Sequence, residues 1–385
     1  MRTLVVTVTT GHGHNASART MEESLKAKGS DVVVLDMYQY ISKVLYKVVD
    51  KGYLLSIQRA PRGFGRAYTQ LERREIPRRA ASALTANRVL AGRLASFFQD
   101  YQPDVIITTH VLAAQVLDVL KKQGMISAPI IGIITDYCIL PLWETVPRVE
   151  YIVTASDLMR YAAERRGIEP ERLIPFGIPV ASRFAEARDQ KTARRELGLD
   201  EDKTTILLMG GSMGYGDLVQ SVQEIDQMDK GYQLVCIAGG NERLFTQLKD
   251  LKTKHPLHVC GFTKQVDGYM DAADCLITKP GGLSVSEALA KNLPMILVSP
   301  IPGQEERNAH FLVNAGAAVM VSKHFHITEA VYGVLESERR LQHMRDAISA
   351  IARPNAAADI ADFAFRLGGK QSDTQVKHAY TTDIR

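Results

Sequence analysis

The sequence predicts an α/β protein made of two doubly wound domains, and three observations carry that prediction. Short β-branched runs alternate with longer helical patterns along the chain. The strand candidates are continuous apolar runs rather than alternating ones, as strands covered on both faces require. A chain of 385 residues with 45% hydrophobic content can supply two ordinary cores.

A first set of strands is expected near Leu4 to Val8, Val32 to Leu35, Val105 to Thr109, Ile130 to Thr135 and Tyr151 to Ala155. A second set is expected near Ile206 to Met209, Gln233 to Ala238, His258 to Cys260, Cys275 to Thr278 and Met295 to Ser299. Gly177-Ile178-Pro179-Val180 is rich in turn formers, and the stretch from Lys191 to Gly198 is polar and helix-like, so the linker is placed near residues 178–202. The expected domains are residues 1–190 and 191–367, followed by a polar, aperiodic and mobile tail at 368–385.

The net charge of +4 says little about partners. The four cysteines, Cys138, Cys236, Cys260 and Cys275, lack a C-x-x-C spacing, so buried free thiols in a reducing compartment are expected rather than a zinc site. The first residues form a strand-like run without a signal-peptide pattern, and no apolar run is long enough to span a bilayer. A cytoplasmic protein is the expectation, with binding to a membrane surface left open.

The segment from Ile41 to Arg93 exceeds what a compact doubly wound unit needs. Ile41, Val44, Leu45, Val48 and Val49 fall near one helical face, and a series of arginines follows that includes Arg73, Arg74, Arg78 and Arg79. One reading is a core-facing helix with a solvated basic face. The other is an insertion lying on an anionic bilayer, apolar side chains dipping in and arginines meeting headgroups. No nucleic-acid-binding motif accompanies the basic charge.

After the first strand comes Thr10-Gly11-His12-Gly13-His14-Asn15-Ala16-Ser17. Gly11, Gly13 and Ala16 match the dinucleotide-binding G-x-G-x-x-A pattern, and Asp36 lies about twenty residues on, where a ribose contact would be. The imidazoles of His12 and His14 argue against that use, because a pyrophosphate there needs bare backbone. His14 enters a helix, whose N-terminus disfavours imidazolium; it is either a polar first-turn residue or a neutral general base. Asp136, after the Ile130 strand, either caps the next element or stands at the carboxyl end of a parallel strand, where α/β sheets place ligands. His110 has the same two readings.

The second half carries its own ligand loops. Met209-Gly210-Gly211-Ser212 follows one strand, and Lys279-Pro280-Gly281-Gly282-Leu283-Ser284 follows another and opens a helix. Paired glycines let backbone approach a ligand, and the helix start suits a phosphate. Phe262 either presents its ring to a base or belongs to the core. Ser284-Val285-Ser286-Glu287 reads as a capping box, with Ser284 at the cap, or else Glu287 serves a ligand. Pro302-Gly303-Gln304-Glu305-Glu306-Arg307-Asn308 is a second polar cluster of amides and carboxylates suited to a sugar. No D-x-D metal motif appears, so the diphosphate is expected to be neutralised by helix N-termini and loop amides without a metal ion.

Lys279-Pro280-Gly281-Gly282, Ser286-Glu287 and Pro302-Gly303-Gln304-Glu305 with Asn308 resemble the donor-site signature of glycosyltransferase family 28. The pattern is similar to that of the processive diacylglycerol glucosyltransferases of Gram-positive bacteria and of plant monogalactosyldiacylglycerol synthases. It extends to the Gly11–Ser17 loop, Thr135-Asp136-Tyr137-Cys138 with Trp143, and Phe176-Gly177-Ile178-Pro179, covering roughly residues 1–350. The resemblance implies the GT-B architecture, two Rossmann-like domains facing a cleft. It implies an inverting transfer of a hexose, glucose by the bacterial likeness, from UDP-hexose to diacylglycerol, with no cofactor. Glu287 would hold the ribose, Gln304 and Glu305 the hexose, and Gly282 and Ser284 the diphosphate. Gly211, Ser212, Phe262, Gly281, Leu283 and Asn308 complete the expected donor site. His14 or Asp136 would be the base, with Gly11, His12, Gly13 and His110 around the acceptor. His12 stands where the plant pattern has a third glycine. A lipid acceptor favours the membrane reading of Arg73, Arg74, Arg78 and Arg79, on the inner face of the cell membrane. A UDP-N-acetylglucosamine-using enzyme of the same architecture and a non-catalytic nucleotide-sugar sensor are the alternatives.

Overall fold

The computed structural model describes residues 1–9, 13–42, 63, 65–66, 69–70, 77–211 and 217–369, with the backbone alone for 77–88. The apolar runs form two six-stranded sheets in which all strand-to-strand pairings are parallel. The chain divides into one unit of Met1–Val180 with Asn355–Arg385 and another of Ala181–Pro354.

In the first unit the strands are β1 (Arg2–Thr7), β2 (Asp31–Asp36), β3 (Val105–Thr108), β4 (Ile130–Ile133), β5 (Tyr151–Val153) and β6 (Leu173–Ile174), in the order β2-β1-β3-β4-β5-β6. Helices α1 (Gly13–Ala27), α2 (Met37–Ile41), α3 (Pro77–Asp100), α4 (Val111–Lys122) and α5 (Arg160–Glu164) connect them. Successive strands run outward from β1 in opposite directions, so the carboxyl ends of β1 and β3 flank the point where the topology reverses.

The second unit has β7 (Thr205–Met209), β8 (Gln233–Ile237), β9 (Leu257–Cys260), β10 (Cys275–Thr278), β11 (Met295–Leu297) and β12 (Ala318–Met320), in the order β12-β11-β10-β7-β8-β9. Its helices are α6 (Gln190–Glu196), α7 (Leu218–Asp226), α8 (Glu242–Lys249), α9 (Val266–Ala272), α10 (Gly282–Ala290), α11 (Gln304–Asn314), α12 (Ile327–Leu335) and α13 (Glu338–Ile351). This is the Rossmann strand order, and its reversal lies between β7 and β10. The two strands end level, with Thr278 opposite Met209.

Two strands escaped the sequence reading, β6 and β12. Both lie at sheet edges, and β6 has only two residues. The expected strand through Ser299 stops at Leu297, because Ser299 takes a left-handed conformation, φ 46°.

The expected domain limits also differ from the units seen. The second unit begins at Ala181, and it ends before α14 (Ala356–Gly368), which returns to the first unit. The cause is packing. Ala357, Ile360, Ala361, Phe363 and Ala364 of α14 share a core with Val5, Ala18, Met21 and Leu25. Phe363 is fully buried, edge-on to Tyr151 with ring centroids 4.8 Å apart. Burial of one such side chain contributes roughly 1.5–3 kcal/mol. Ser24 donates to the Ala357 carbonyl at 3.1 Å, and Lys28 pairs with Asp362 at 2.7 Å. The polar tail from residue 370 lies outside the described residues.

A glycine inside β4 fixes the only tryptophan. A Cβ on Gly132 would lie 2.5 Å from Cζ3 of Trp143, itself buried on the short helical turn Pro141–Thr145. Gly132→Ala is therefore expected to destabilise the first unit by about 1–3 kcal/mol through overpacking. Tryptophan fluorescence through a urea titration checks this; an unchanged midpoint would mean the ring has room to move.

Candidate active site and donor site

The loop after β1 is held from below. Asp36 accepts from the Thr9 amide and hydroxyl and from the Gln39 amide, where it caps α2. It is thus engaged in local structure, which removes the acid that the dinucleotide reading assigned to a ribose. Asn15 donates to Thr9 Oγ1 at 2.7 Å and accepts from Thr7 Oγ1 at 3.2 Å. Gly13 opens α1, which puts His14 in the first turn, next to the end of β3. Gly11 and His12 lie outside the described residues.

His14 is well partnered on one side of its ring. Nδ1 lies 2.7 Å from the Thr109 carbonyl oxygen and 3.1 Å from Thr135 Oγ1. A carbonyl oxygen only accepts, so Nδ1 carries the proton and Nε2 carries the lone pair. Burial pushes the imidazole's pKa below its ordinary value, against the raising influence of the Thr109 bond. A neutral ring with an available Nε2 is what a general base requires.

His110 has a structural task. Its Nδ1 accepts from the Leu112 amide at 3.1 Å, capping α4. That bond needs neutral imidazole, and burial, reinforced by repulsion from His14, holds its pKa well below the ordinary value. The two rings meet edge to face, centroids 4.4 Å apart. Asp136 is half-buried in the loop beyond β4. The next helical turn begins with Leu140 as its cap, so Asp136 does not cap it.

In the second unit, the two predicted glycine loops meet at the reversal between β7 and β10. Thr278 Oγ1 donates to the Met209 carbonyl at 2.9 Å and ties the strand ends together. Gly211 has φ 71°, a conformation that favours glycine. Ser212 lies outside the described residues. Phe262 follows β9 and is 71% exposed, so it is not core.

The capping-box reading of Ser284 and Glu287 is corrected. Helix α10 starts three residues earlier, with Gly281 as the cap, so Ser284 is already inside the first turn. The first intrahelical acceptor is Gly281, bonded by Val285, which leaves the amides of Gly282, Leu283 and Ser284 unspent within the helix. Glu287 is one turn further along and half-buried. Its carboxyl accepts no hydrogen bond from the described residues, and burial raises its pKa to about 8, with Arg183 opposing and Asp267 adding to the rise.

The polar cluster at α11 is organised by its own side chains. Gly303, φ 109°, caps the helix, and its amide donates to Glu306. Glu305 accepts from Lys279 at 3.0 Å and from the Ile301 amide at 2.8 Å, joining the loops after β10 and β11. Gln304 stands at the first helical position and is half-buried. Asn308 is fully buried and donates to the Pro280 carbonyl at 3.0 Å. Asn308 therefore shapes the loop that carries Gly281 and Gly282; burial keeps its side chain from a ligand in solution.

Sequence reasoning missed Thr109, Thr135, Arg183, Arg188 and Asp267. Buried Asp267, on α9, pairs with Arg183 at 3.4 Å and Arg188 at 3.2 Å, and Arg183 and Asp267 are the charges that act on Glu287. These residues are far apart in the chain, and no spacing announces them. Thr135 had one available signal, its place beside Asp136 at the end of a strand. Arg73 and Arg74 lie outside the described residues; Arg78 and Arg79 lie on α3 with only their backbone described.

A family model of monogalactosyldiacylglycerol (MGDG) synthase matches residues 14–180, and one of the glycosyltransferase family 28 C-terminal domain matches residues 205–362. The chain is 30% identical over 364 residues to a protein of Bacillus cereus (strain AH187) named processive diacylglycerol beta-glucosyltransferase, covering 94% of this chain and 92% of that one. A protein of the same name from Bacillus pumilus is 29% identical over 362 residues, covering 93% of each. Among solved structures, MurG of Acinetobacter baumannii superposes with a TM-score of 0.63 at 16% identity, over 95% of this chain and 99% of that one, a likeness of fold. Each sheet, the match of each half and the near full-length relatives agree: the chain is a glycosyltransferase of GT-B fold and belongs to glycosyltransferase family 28, with the diacylglycerol glucosyltransferases and monogalactosyldiacylglycerol synthases.

Proposed function

We propose that this enzyme moves a hexose, glucose by the likeness to the Bacillus proteins, from UDP-hexose to the hydroxyl of diacylglycerol, with inversion. The observation that carries the reading furthest is Glu287. A half-buried carboxyl without a hydrogen-bond donor costs stability and invites a ligand, and it sits on the helix whose first amides are unspent. The vicinal hydroxyls of a ribose would supply its missing donors. Backbone amides of Gly282, Leu283 and Ser284, with those at Gly211, would receive the diphosphate without a metal ion. Glu305, held by Lys279, and Gln304 would face the hexose.

The reaction is a single displacement. His14 Nε2 takes the proton of the acceptor hydroxyl, whose oxygen bonds to the anomeric carbon as the bond to the UDP oxygen breaks. UDP leaves with the electron pair, and a β-linked glycolipid remains. Purified enzyme offered UDP-glucose and UDP-galactose in turn, with and without diacylglycerol, tests this by mass analysis of the lipid fraction. A hexosyl-diacylglycerol is expected. Sugar interconversion without lipid would favour an epimerase, and nucleotide binding without turnover a sensor.

No described helix is long and apolar enough to cross a membrane. The proposed site of action is the inner face of the cell membrane, reached through the arginine-rich segment. Replacing Arg73, Arg74, Arg78 and Arg79 by Gln is expected to weaken binding to anionic liposomes by about tenfold or more, since each basic residue near such a surface contributes about 1 kcal/mol. Unchanged co-sedimentation would return the segment to a solvated face.

A further inference from the structure

The ring of a catalytic histidine is usually oriented by a carboxylate on its second nitrogen. Here that place is taken by neutral groups, the Thr109 carbonyl at 2.7 Å and the Thr135 hydroxyl at 3.1 Å. We propose that Thr135 is a positioning residue of this transferase: with the Thr109 carbonyl it shares the Nδ1–H of His14, fixes that tautomer, and aims Nε2 at the acceptor hydroxyl.

Three observations support it. First, the opposite tautomer would set the Nδ1 lone pair against the Thr109 carbonyl oxygen, a repulsive contact at 2.7 Å. Second, the elements are braced from more than one side. Thr109 Oγ1 donates to Thr7 Oγ1 at 3.0 Å and also lies 3.2 Å from the His14 carbonyl, so the end of β3 is tied to both β1 and α1. Third, His110 packs edge to face on His14 and is itself held in the other tautomer by the Leu112 amide, which restricts rotation of the His14 ring. Of the ionisable groups, His110 is in ring contact with His14, and Asp136 follows Thr135 in the chain. Because the partners of Nδ1 carry no charge, the imidazolium formed in the reaction gains no ion pair there, and orientation is what they supply. A lone carbonyl contact leaves the ring free to pivot about that bond; the second acceptor from the β4 loop removes that freedom.

The inference rests on His14 as the base, and its test separates the two. In protein labelled with 15N-histidine, the His14 signal, assigned by its loss in His14→Ala, is expected to report neutral imidazole protonated at Nδ1. A signal from the Nε2–H tautomer would overturn the proposal whatever the activity of His14→Ala. Thr135→Val is expected to lower kcat about 3- to 10-fold, as for one lost hydrogen bond, with the KM for UDP-sugar unchanged, and Thr135→Ser is expected to restore it. A wild-type kcat in Thr135→Val, or a Ser variant no better than the Val variant, would overturn it. If His14→Ala kept full turnover while the tautomer was as expected, the base assignment would fail and the positioning role with it; if it lost turnover and Thr135→Val did not, the positioning role alone would fail.

Discussion

His14→Ala is expected to lower turnover by about 10² or more while the protein stays folded, the range for a lost general base. The ring contacts the Thr109 carbonyl and the Thr135 hydroxyl through Nδ1 and the His110 ring edge to face, and none of these partners depends on it for its own cap or strand pairing. The loss is thus expected in kcat, with an unshifted thermal midpoint within a few degrees as the control. Near-normal turnover in the variant would remove His14 from the reaction and leave Asp136 as the base. The pH dependence follows from the direction of the pKa. Burial lowers it, so the ring is neutral at pH 7, and kcat measured at saturating UDP-sugar should decline only as the pH falls through a value below the ordinary 6.5. An acid limb at or above 6.5 would contradict the environment described for the ring.

Glu287→Gln is expected to weaken UDP binding by about 10- to 100-fold, the range for hydrogen bonds to a charged group, and to stabilise the protein at alkaline pH. The sign follows from the raised pKa. In the unfolded chain the carboxyl ionises near 4.5, in the fold near 8. Below 4.5 both states are protonated and the group costs nothing. Between the two values only the unfolded chain loses its proton, so stability falls as the pH rises, and the full cost is present above 8. It is on the order of a few kcal/mol, and Gln removes it. Binding of a ribose diol favours the carboxylate, so UDP affinity should rise with pH toward 8 and binding should release protons near neutrality. Calorimetry in two buffers of different ionisation enthalpy measures that release. A Gln variant that binds UDP normally would assign Glu287 to structure alone. Gain of stability with loss of binding is the signature of a residue kept for function.

Much of this was legible in the sequence, for identifiable reasons. Buried parallel strands are written as apolar runs, and the glycine loops that follow β7 and β10 are local in sequence. Their adjacency is not, because it depends on strand order, which places β10 beside β7. The start of α10 was misread because Ser284 and Glu287 match a cap by spacing, while Gly281, with no side chain to offer, opens the helix through its extended backbone. The return of α14 to the first unit could not be seen, since an apolar helical face does not name its partner. The same holds for Asp267 with Arg183, and for Thr109 and Thr135 around His14, whose contacts join residues far apart in the chain.

The central claim is a single displacement from UDP-hexose onto diacylglycerol. The most direct measurement is the anomeric configuration of the lipid made from UDP-glucose, in which the sugar is α-linked, read by proton NMR on the purified product. A β-linked glucosyl-diacylglycerol is predicted. An α-linked lipid, or glucose released as free sugar with no lipid product, would contradict the account.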